Sequence, residues 1–176
     1  KTLGILGAGS IAQALIPVAK SFEMKVIGLS RSGQAVDGFD DVYAATDLLK
    51  FAQEADHVVN LMPDTPATTG VLNQAFFGAL KLHSMFINAG RGSAIIEDAL
   101  LNALDNGTLQ AAVLDVFTQE PLPEEHPFWT HPKVVVTAHT AAVSSPEDVA
   151  SVFVANAKRY IANEALHYQF DFNKGY

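Results

Sequence analysis

The sequence predicts an α/β fold, a doubly wound parallel sheet with helices on both faces. Short apolar runs alternate with segments of helical period along most of the 176 residues, and this alternation is typical of βαβ units. Several runs, such as 134–136, are apolar throughout, as expected of strands that are buried on both faces. A glycine-rich turn joins the first apolar run to the first helical segment.

The elements follow in order from these patterns. We expect strands at 2–6, 24–29, 57–61, 85–89, 110–114 and 133–138, and helices at 10–21, 96–104 and 146–161. Ser145, followed by a proline and two acids, predicts the start of the last helix, and Asn106-Gly107 predicts the end of the helix before it. Segments 63–70 and 120–132 are rich in loop-forming residues, and we expect them at the edge or mouth of the sheet.

No linker-like stretch or internal repeat divides the chain, so we expect one domain over 1–176. Lys1 leads directly into the first strand, which suggests a piece cut from a longer protein. The net charge of −8 argues against nucleic acid and anionic membranes as partners. The absence of cysteine fits a reducing cytosol, so a soluble cytoplasmic protein is the default expectation. No spacing of His, Asp and Glu suggests a metal site.

The turn Gly7-Ala8-Gly9-Ser10-Ile11-Ala12 follows the first strand and opens the first helix. Such a turn lets the backbone approach a pyrophosphate closely, while the helix N-terminus offers free N–H groups. We therefore predict a Rossmann-type dinucleotide site that is lined by Gly7, Gly9, Ser10 and Ile11. The alternative is a tight glycine turn without a ligand.

The cofactor preference is read at the end of the second strand. Sites that prefer NAD carry an acid there, about 20 residues beyond the turn, whereas this chain has Ser30-Arg31-Ser32. Two hydroxyls and a guanidinium suit a 2′-phosphate. We therefore predict that NADP(H) is preferred and that NAD(H) is possible, the alternative being that Arg31 is a solvated loop residue.

Three polar side chains each follow an apolar run: Arg91, Glu120 and His139. Because open parallel sheets bind ligands outside the carboxyl ends of their strands, we expect these side chains to converge. Taken singly, each has a structural interpretation as a strand cap, a loop residue or a buried histidine. Together, beside a dinucleotide turn, they indicate an active site.

With the glycine turn and the Ser-Arg-Ser loop, these motifs resemble the D-isomer-specific 2-hydroxyacid dehydrogenase family over nearly the whole chain. The Ser-Arg-Ser loop, Glu120-Pro121-Leu122-Pro123 and the ending Lys174-Gly175-Tyr176 most resemble its glyoxylate/hydroxypyruvate reductase branch. The resemblance implies hydride transfer between a nicotinamide and a small 2-oxo or 2-hydroxy acid, with Arg91, Glu120 and His139 as catalytic residues.

The chemistry of the three residues fits these roles. Reduction of a ketone places negative charge on its oxygen, and a protonated His139 can supply a proton there. A carboxylate within hydrogen-bonding reach favours the imidazolium, which is the expected role of Glu120. Arg91 can hold the substrate carboxylate in a fork and polarise the carbonyl.

The resemblance implies further cofactor contacts. Met62, Pro63 and Thr68 match a loop on the adenosine and ribose side, and Asp115 matches the acid that binds the nicotinamide carboxamide. The resemblance also implies cofactor contacts at Ala89 and Gly90, which lie beside Arg91, and at Ala141, which lies near His139. Alternatively, Met62 is a core residue and Thr68 a helix cap. Asp115 is the safer prediction, because a carboxylate at a strand end must be satisfied.

The enzymes of the family that this chain resembles have two domains. The resemblance therefore implies an N-terminal substrate domain that is absent from this sequence, and it implies that the tail 165–176 packs against that domain. We therefore expect cofactor binding but little turnover from this chain alone. The resemblance also implies a homodimer through the cofactor domain, and helix 95–104 is either part of that contact or ordinary core. Phe128 and Trp129 either limit substrate size or anchor their loop. The rival function is a dinucleotide-sensing module, like the family's corepressor, but the retained trio favours the reductase.

Overall fold

The computed structural model describes residues 1–142, 144–172 and 175. Lys174 and Tyr176, which belong to the reductase-like ending, lie outside the described residues. The chain forms two compact units, Lys1–His139 and Thr140–Tyr176. The predicted active-site trio belongs entirely to the first unit.

The first unit is built on a seven-stranded sheet in which every pair of neighbours is parallel. Its strands are β1 (Thr2–Leu6), β2 (Lys25–Ser30), β3 (Asp41–Ala44), β4 (His57–Asn60), β5 (Ser84–Asn88), β6 (Leu109–Leu114) and β7 (Val134–Val136). They lie in the order β3-β2-β1-β4-β5-β6-β7. The strand order therefore reverses between β1 and β4, where open α/β sheets form their ligand crevice.

Helices cover both faces of this sheet: α1 (Ser10–Ser21), α2 (Leu48–Glu54), α3 (Gln74–Ala79) and α4 (Glu97–Asp105). Adjacent strand residues point to opposite faces, and they belong to two separate cores. Ile5 packs with α1, whereas Leu6 lies in the larger core with residues of α2, α3 and α4. The predicted doubly wound α/β fold is confirmed.

The predicted strands and helices are present, mostly within one residue of their expected bounds, although β7 is three residues shorter than predicted. Three elements were missed: β3, α2 and α3. The edge strand β3 has only four residues and none of them is buried, so it carries no apolar run. The helices α2 and α3 have seven and six residues, too few for a clear helical period. Asn73, whose side chain accepts hydrogen bonds from two N–H groups of α3, was the available signal.

The burial of helix α4 shows whether its apolar residues form ordinary core or a subunit contact. Its apolar face, formed by Ala99, Leu100, Ala103 and Leu104, is buried in the larger core. This face therefore serves as ordinary core, and a subunit contact would have to use other residues. The helix ends as predicted, with Asn106 at its C-cap and Gly107 at a φ of +83°.

The second unit contains α5 (Pro146–Ile161), with the predicted bounds. The Ser145 hydroxyl accepts a hydrogen bond from the Asp148 N–H at 3.1 Å, as expected of an N-cap. Beyond the helix, the Asn156 side chain forms two hydrogen bonds with the backbone of His167, at 2.8 and 3.1 Å. Among the described residues, no helix is both long and apolar enough to cross a membrane.

Candidate active site

The glycine turn between β1 and α1 has the shape of a phosphate cradle. Gly7 has a φ of +98°, and a Cβ there would lie 3.1 Å from the Leu61 carbonyl oxygen. Gly9 is the N-cap of α1 and has extended backbone. A Cβ at Gly9 would lie in open space, with nothing within 4 Å. Ser10 and Ile11, both exposed, begin a helix whose first turn carries no acid. The turn therefore offers space and N–H groups to an anion.

The Ser30-Arg31-Ser32 loop leaves its cation free. The hydroxyl of Ser30 accepts a hydrogen bond from the Gly33 N–H at 3.0 Å, so Ser30 shapes the turn after β2. Ser32 pairs with Ala44 through an isolated bridge. Arg31 is exposed, and no hydrogen bond or ion pair joins its side chain to a residue of the described ranges. Its guanidinium is thus available to an anionic group on a ligand.

The segment after β5 carries Arg91 and packs against two other loops through glycines. A Cβ at Gly90 would lie 2.9 Å from the Met62 carbonyl oxygen. A Cβ at Gly92 would lie 1.9 Å from the carbonyl carbon of Phe117, so only glycine permits this contact. Arg91 itself is exposed, and its Nη1 donates to the Gly90 carbonyl at 2.7 Å. The backbone of this segment is therefore fixed while the guanidinium reaches the surface.

The loop after β4 is organised from within. Thr68 donates its hydroxyl proton to the Pro63 carbonyl at 2.7 Å and accepts from the Thr65 N–H at 3.0 Å. The Met62 side chain is buried in the larger core, as its alternative interpretation predicted. Ser93, beyond Arg91, donates to the Asp64 carboxylate at 2.7 Å and so ties this loop to the Arg91 segment.

Asp115 directly follows β6 and is only 4% exposed. Its carboxylate accepts a hydrogen bond from the Thr137 hydroxyl at 2.5 Å. Its carbonyl accepts from the His139 N–H at 2.8 Å. Asp115 is therefore a satisfied buried acid that connects the end of β6 to the segment carrying His139.

Glu120 and His139 form an acid–imidazole pair. Nδ1 of His139 lies 2.7 Å from one Glu120 carboxylate oxygen, and the other oxygen accepts from the Phe117 N–H at 2.9 Å. The hydrogen bond from His139, the N–H of Phe117 and the positive charge of Arg91 together hold the pKa of Glu120 below its ordinary value. Because Nδ1 faces Glu120, Nε2 is the ring nitrogen that this pair leaves for another contact. The backbone of His139 has a φ of +53°, a conformation that is unfavourable for most side chains.

Two histidines anchor the loop that carries Glu120. Nε2 of His126 lies 3.2 Å from Glu97, and Nε2 of His131 lies 3.3 Å from Asp105, so both ends of α4 hold this loop. Phe128 is buried beneath it, which supports the anchor interpretation for this residue. Trp129 is 51% exposed, and its indole N–H donates to the Pro123 carbonyl at 2.9 Å.

Ala89 and Gly90 lead from β5 into Arg91, and the Ala89 N–H donates to the Asn60 carbonyl at 3.1 Å. Ala141 lies in the second unit, two residues beyond His139. No cluster of three or more His, Cys, Asp or Glu side chains suited to a metal ion occurs in the part of the chain that the structure describes.

Sequence reasoning missed the buried amide pair Asn60–Asn88. Both side chains are fully buried, and the Asn60 amide nitrogen lies 2.8 Å from the Asn88 amide oxygen. The only available signal was that each asparagine ends an apolar strand.

Residues 1–141 match the model of the family described as D-isomer specific 2-hydroxyacid dehydrogenase, NAD binding domain. The chain is 41% identical over 155 residues to a glyoxylate/hydroxypyruvate reductase A of Serratia proteamaculans, an alignment that covers 88% of this chain and 50% of that protein. The chain spans about half the length of the curated relatives it matches.

The similar solved structures include the following two. The first is a D-isomer specific 2-hydroxyacid dehydrogenase from Xanthobacter autotrophicus Py2 in complex with NADPH and MES, with a TM-score of 0.93, 34% identity, and coverage of 99% of this chain and 72% of that one. The second is an NADPH-dependent glyoxylate/hydroxypyruvate reductase from Sinorhizobium meliloti in complex with NADP and sulfate. It has a TM-score of 0.89, 39% identity, and coverage of 99% and 57%.

Proposed function

Since the chain belongs to the D-isomer-specific 2-hydroxyacid dehydrogenase family, we propose that its parent protein reduces a small 2-oxo acid of the glyoxylate or hydroxypyruvate type. The product is the D-2-hydroxy acid and the reductant is NADPH. The observation that carries the proposal is the hydrogen-bonded pair of Glu120 and His139. Arg91 lies near enough that its charge helps to lower the pKa of Glu120. Relatives that carry the name of this reductase support the choice of substrate.

His139 is the general acid in this proposal. NADPH, when bound, would supply the hydride that C2 of the substrate accepts. Negative charge then grows on the carbonyl oxygen, where the Nε2–H of His139 donates its proton. Glu120 stays ionised because its pKa is lowered, and its carboxylate fixes the ring of His139 through Nδ1.

Arg91 is the substrate-binding cation. Its guanidinium is exposed, and Nη1 donates a hydrogen bond to the neutral carbonyl of Gly90. A carboxylate can displace that contact and form a charge-assisted, bidentate pair, which is stronger. Held in this way, the substrate presents its carbonyl to the same cation, which lowers the energy of the developing oxyanion.

Arg31 selects the phosphorylated cofactor. Its free guanidinium follows β2, where a carboxylate would repel the 2′-phosphate of NADP(H). The open space at Gly9 and the NADP-bound relatives support the same cofactor. Met62, Pro63, Thr68, Ala89, Gly90, Asp115 and Ala141 remain proposed contacts along the rest of it.

The test uses the full-length parent protein. Oxidation of NADPH is followed by absorbance with glyoxylate and with hydroxypyruvate, and NADPH affinity is measured separately by fluorescence. His139→Ala should lose turnover and keep NADPH affinity. His57→Ala, at the opposite end of the sheet in β4, is the matched control and should keep both. Unchanged turnover in His139→Ala would remove the general-acid role, and NADPH binding without reduction of either acid would favour the dinucleotide-sensing module.

We also propose that the parent is a homodimer. The apolar face of α4 is occupied in the core, so other residues of the cofactor domain must form the contact. Gel filtration of the parent measures the state directly, and a monomeric elution volume would refute the dimer.

A further inference from the structure

Two buried asparagines lie side by side at the carboxyl end of the sheet. Asn60 ends β4, Asn88 ends β5, and the two are partners in the register of these parallel strands. Neither exposes any surface. Burial of a primary amide is unfavourable unless its donors and acceptors are paired, so the partners of these two side chains indicate their purpose.

The hydrogen bonds of the pair run in one direction. The Met62 N–H donates to the Asn60 amide oxygen at 3.1 Å, the Asn60 amide nitrogen donates to the Asn88 oxygen at 2.8 Å, and the Asn88 nitrogen donates to the Arg91 carbonyl at 3.2 Å. A backbone N–H can only donate and a carbonyl can only accept. The orientation of both amides is therefore fixed by the two ends of the chain of hydrogen bonds.

Two further contacts join the asparagine pair to the Arg91 segment. The Asn88 oxygen also accepts from the Gly90 N–H at 3.3 Å. A Cβ at Gly90 would lie 3.0 Å from the Asn60 amide nitrogen, so the Arg91 segment sits directly on the pair. The asparagines thus bind the backbone of two neighbouring loops, at Met62 after β4 and at Arg91 after β5.

We propose that Asn60 and Asn88 are positioning residues that set the Arg91 backbone against the Met62 loop, and through it the capture of the substrate carboxylate. The inference rests on the proposed function, because it takes Arg91 as the group that binds a 2-oxo acid. A merely structural pair would affect folding but not the Michaelis constant for the substrate.

Asn88→Asp and Asn88→Ala test the proposal in the full-length parent. The aspartate keeps an acceptor for Asn60 and Gly90 but, when ionised, has no donor for the Arg91 carbonyl. The alanine removes this donor and also the acceptor for Asn60 and Gly90, without adding charge. In both variants the KM for glyoxylate should rise at least about tenfold, since both lose the hydrogen bond to the Arg91 carbonyl. The kcat and the Kd for NADPH should change less than this KM.

Ser84→Ala is the matched control, because Ser84 is equally buried, belongs to the same strand and hydrogen-bonds a backbone carbonyl at its opposite end. It should lower the melting temperature and leave the KM for glyoxylate unchanged. Asn88→Ser replaces the alanine variant if that protein does not fold, since a serine hydroxyl is too short to reach the Arg91 carbonyl.

The outcomes separate the two proposals. An active wild type with an unchanged KM in both Asn88 variants overturns the positioning role and leaves the reductase in place. A rise confined to the aspartate variant identifies a charge effect, and an equal rise in Ser84→Ala identifies general destabilisation; either overturns the positioning role. A wild type that binds NADPH but reduces neither glyoxylate nor hydroxypyruvate overturns the proposed function and this inference with it.

Discussion

Gly92 is the point at which the Arg91 segment touches the loop that carries Glu120. The Cβ of an alanine at this position would lie 1.9 Å from the Phe117 carbonyl carbon and 2.3 Å from both the Phe117 oxygen and the Thr118 nitrogen. All three atoms belong to the backbone, so no side-chain rotation can relieve the overlap. Gly92→Ala must therefore move one segment away from the other.

The size of that movement follows from the same distances. Ordinary contact for a Cβ begins at 3.4 Å, so the segments must separate by about 1.5 Å. Glu120 is only three residues beyond Phe117, and Arg91 adjoins Gly92, so the separation displaces the cation from the acid–imidazole pair. A misplacement of about 1 Å in a reactive geometry can lower the rate about 100-fold, which is about 2.7 kcal/mol of transition-state free energy.

The assay is steady-state reduction of glyoxylate by NADPH in the full-length parent, with the Kd for NADPH measured by fluorescence. Gly92→Ala should lower kcat/KM about 100-fold. It should alter NADPH binding much less, because the proposed pyrophosphate site is the glycine turn between β1 and α1, which is not part of the displaced segments. Gly78→Ala is the control, because a Cβ at Gly78 meets nothing within 4 Å and alanine favours its helix. If Gly92→Ala folds and keeps kcat/KM within about threefold, the reasoning from backbone contact is wrong.

Three further predictions concern single side chains. Gly9→Ala should keep the melting temperature, because its Cβ meets nothing, yet lose most NADPH affinity by filling the phosphate space; unchanged affinity in a fluorescence titration would contradict the cradle. Arg31→Ala should weaken NADPH binding about tenfold and leave NADH binding unchanged, and an unaltered preference would refute its role. The pKa of Glu120 is lowered from 4.5, so its stabilising contribution is present above about pH 4.5 and is lost as the pH falls through the lowered pKa. Glu120→Gln should therefore lower the melting temperature at pH 7 more than at pH 3, and an equal change at both would exclude this linkage.

The local parts of the fold follow from short stretches of sequence. The turn between β1 and α1 requires glycine at a φ of +98°, and the N-cap at Ser145 uses a bond to an N–H three residues away. In both cases the cause and its effect lie within one turn of chain, so the pattern is visible in the sequence. The edge strand β3 has no such pattern, because no residue in it is buried.

From residue spacing alone, the site was predictable only as a set of strand ends, and the pairing of Glu120 with His139 was expected only from the family resemblance. That Arg91, Glu120 and His139 share one end of the sheet follows from parallel topology, but the 2.7 Å contact of Glu120 with His139 depends on a loop that His126 and His131 hold to α4. The Asn60–Asn88 pair depends on a register between two strands. Sequence spacing carries no information on such long-range contacts, and isolated asparagines resemble ordinary loop residues.

At the carboxyl end of the sheet, a rigid backbone carries cationic side chains that form no ion pair within the described ranges. The backbones at Met62, Gly90 and Gly92 are held by buried amides or by contacts that only glycine permits. The guanidinium groups of Arg31 and Arg91 form no ion pair within the described ranges. Groups whose backbones are fixed before a ligand arrives lose little conformational freedom on binding. A site of this kind gains affinity for anionic ligands without having to break existing ion pairs, which suits the proposed cofactor and the proposed substrate, since both carry negative charge.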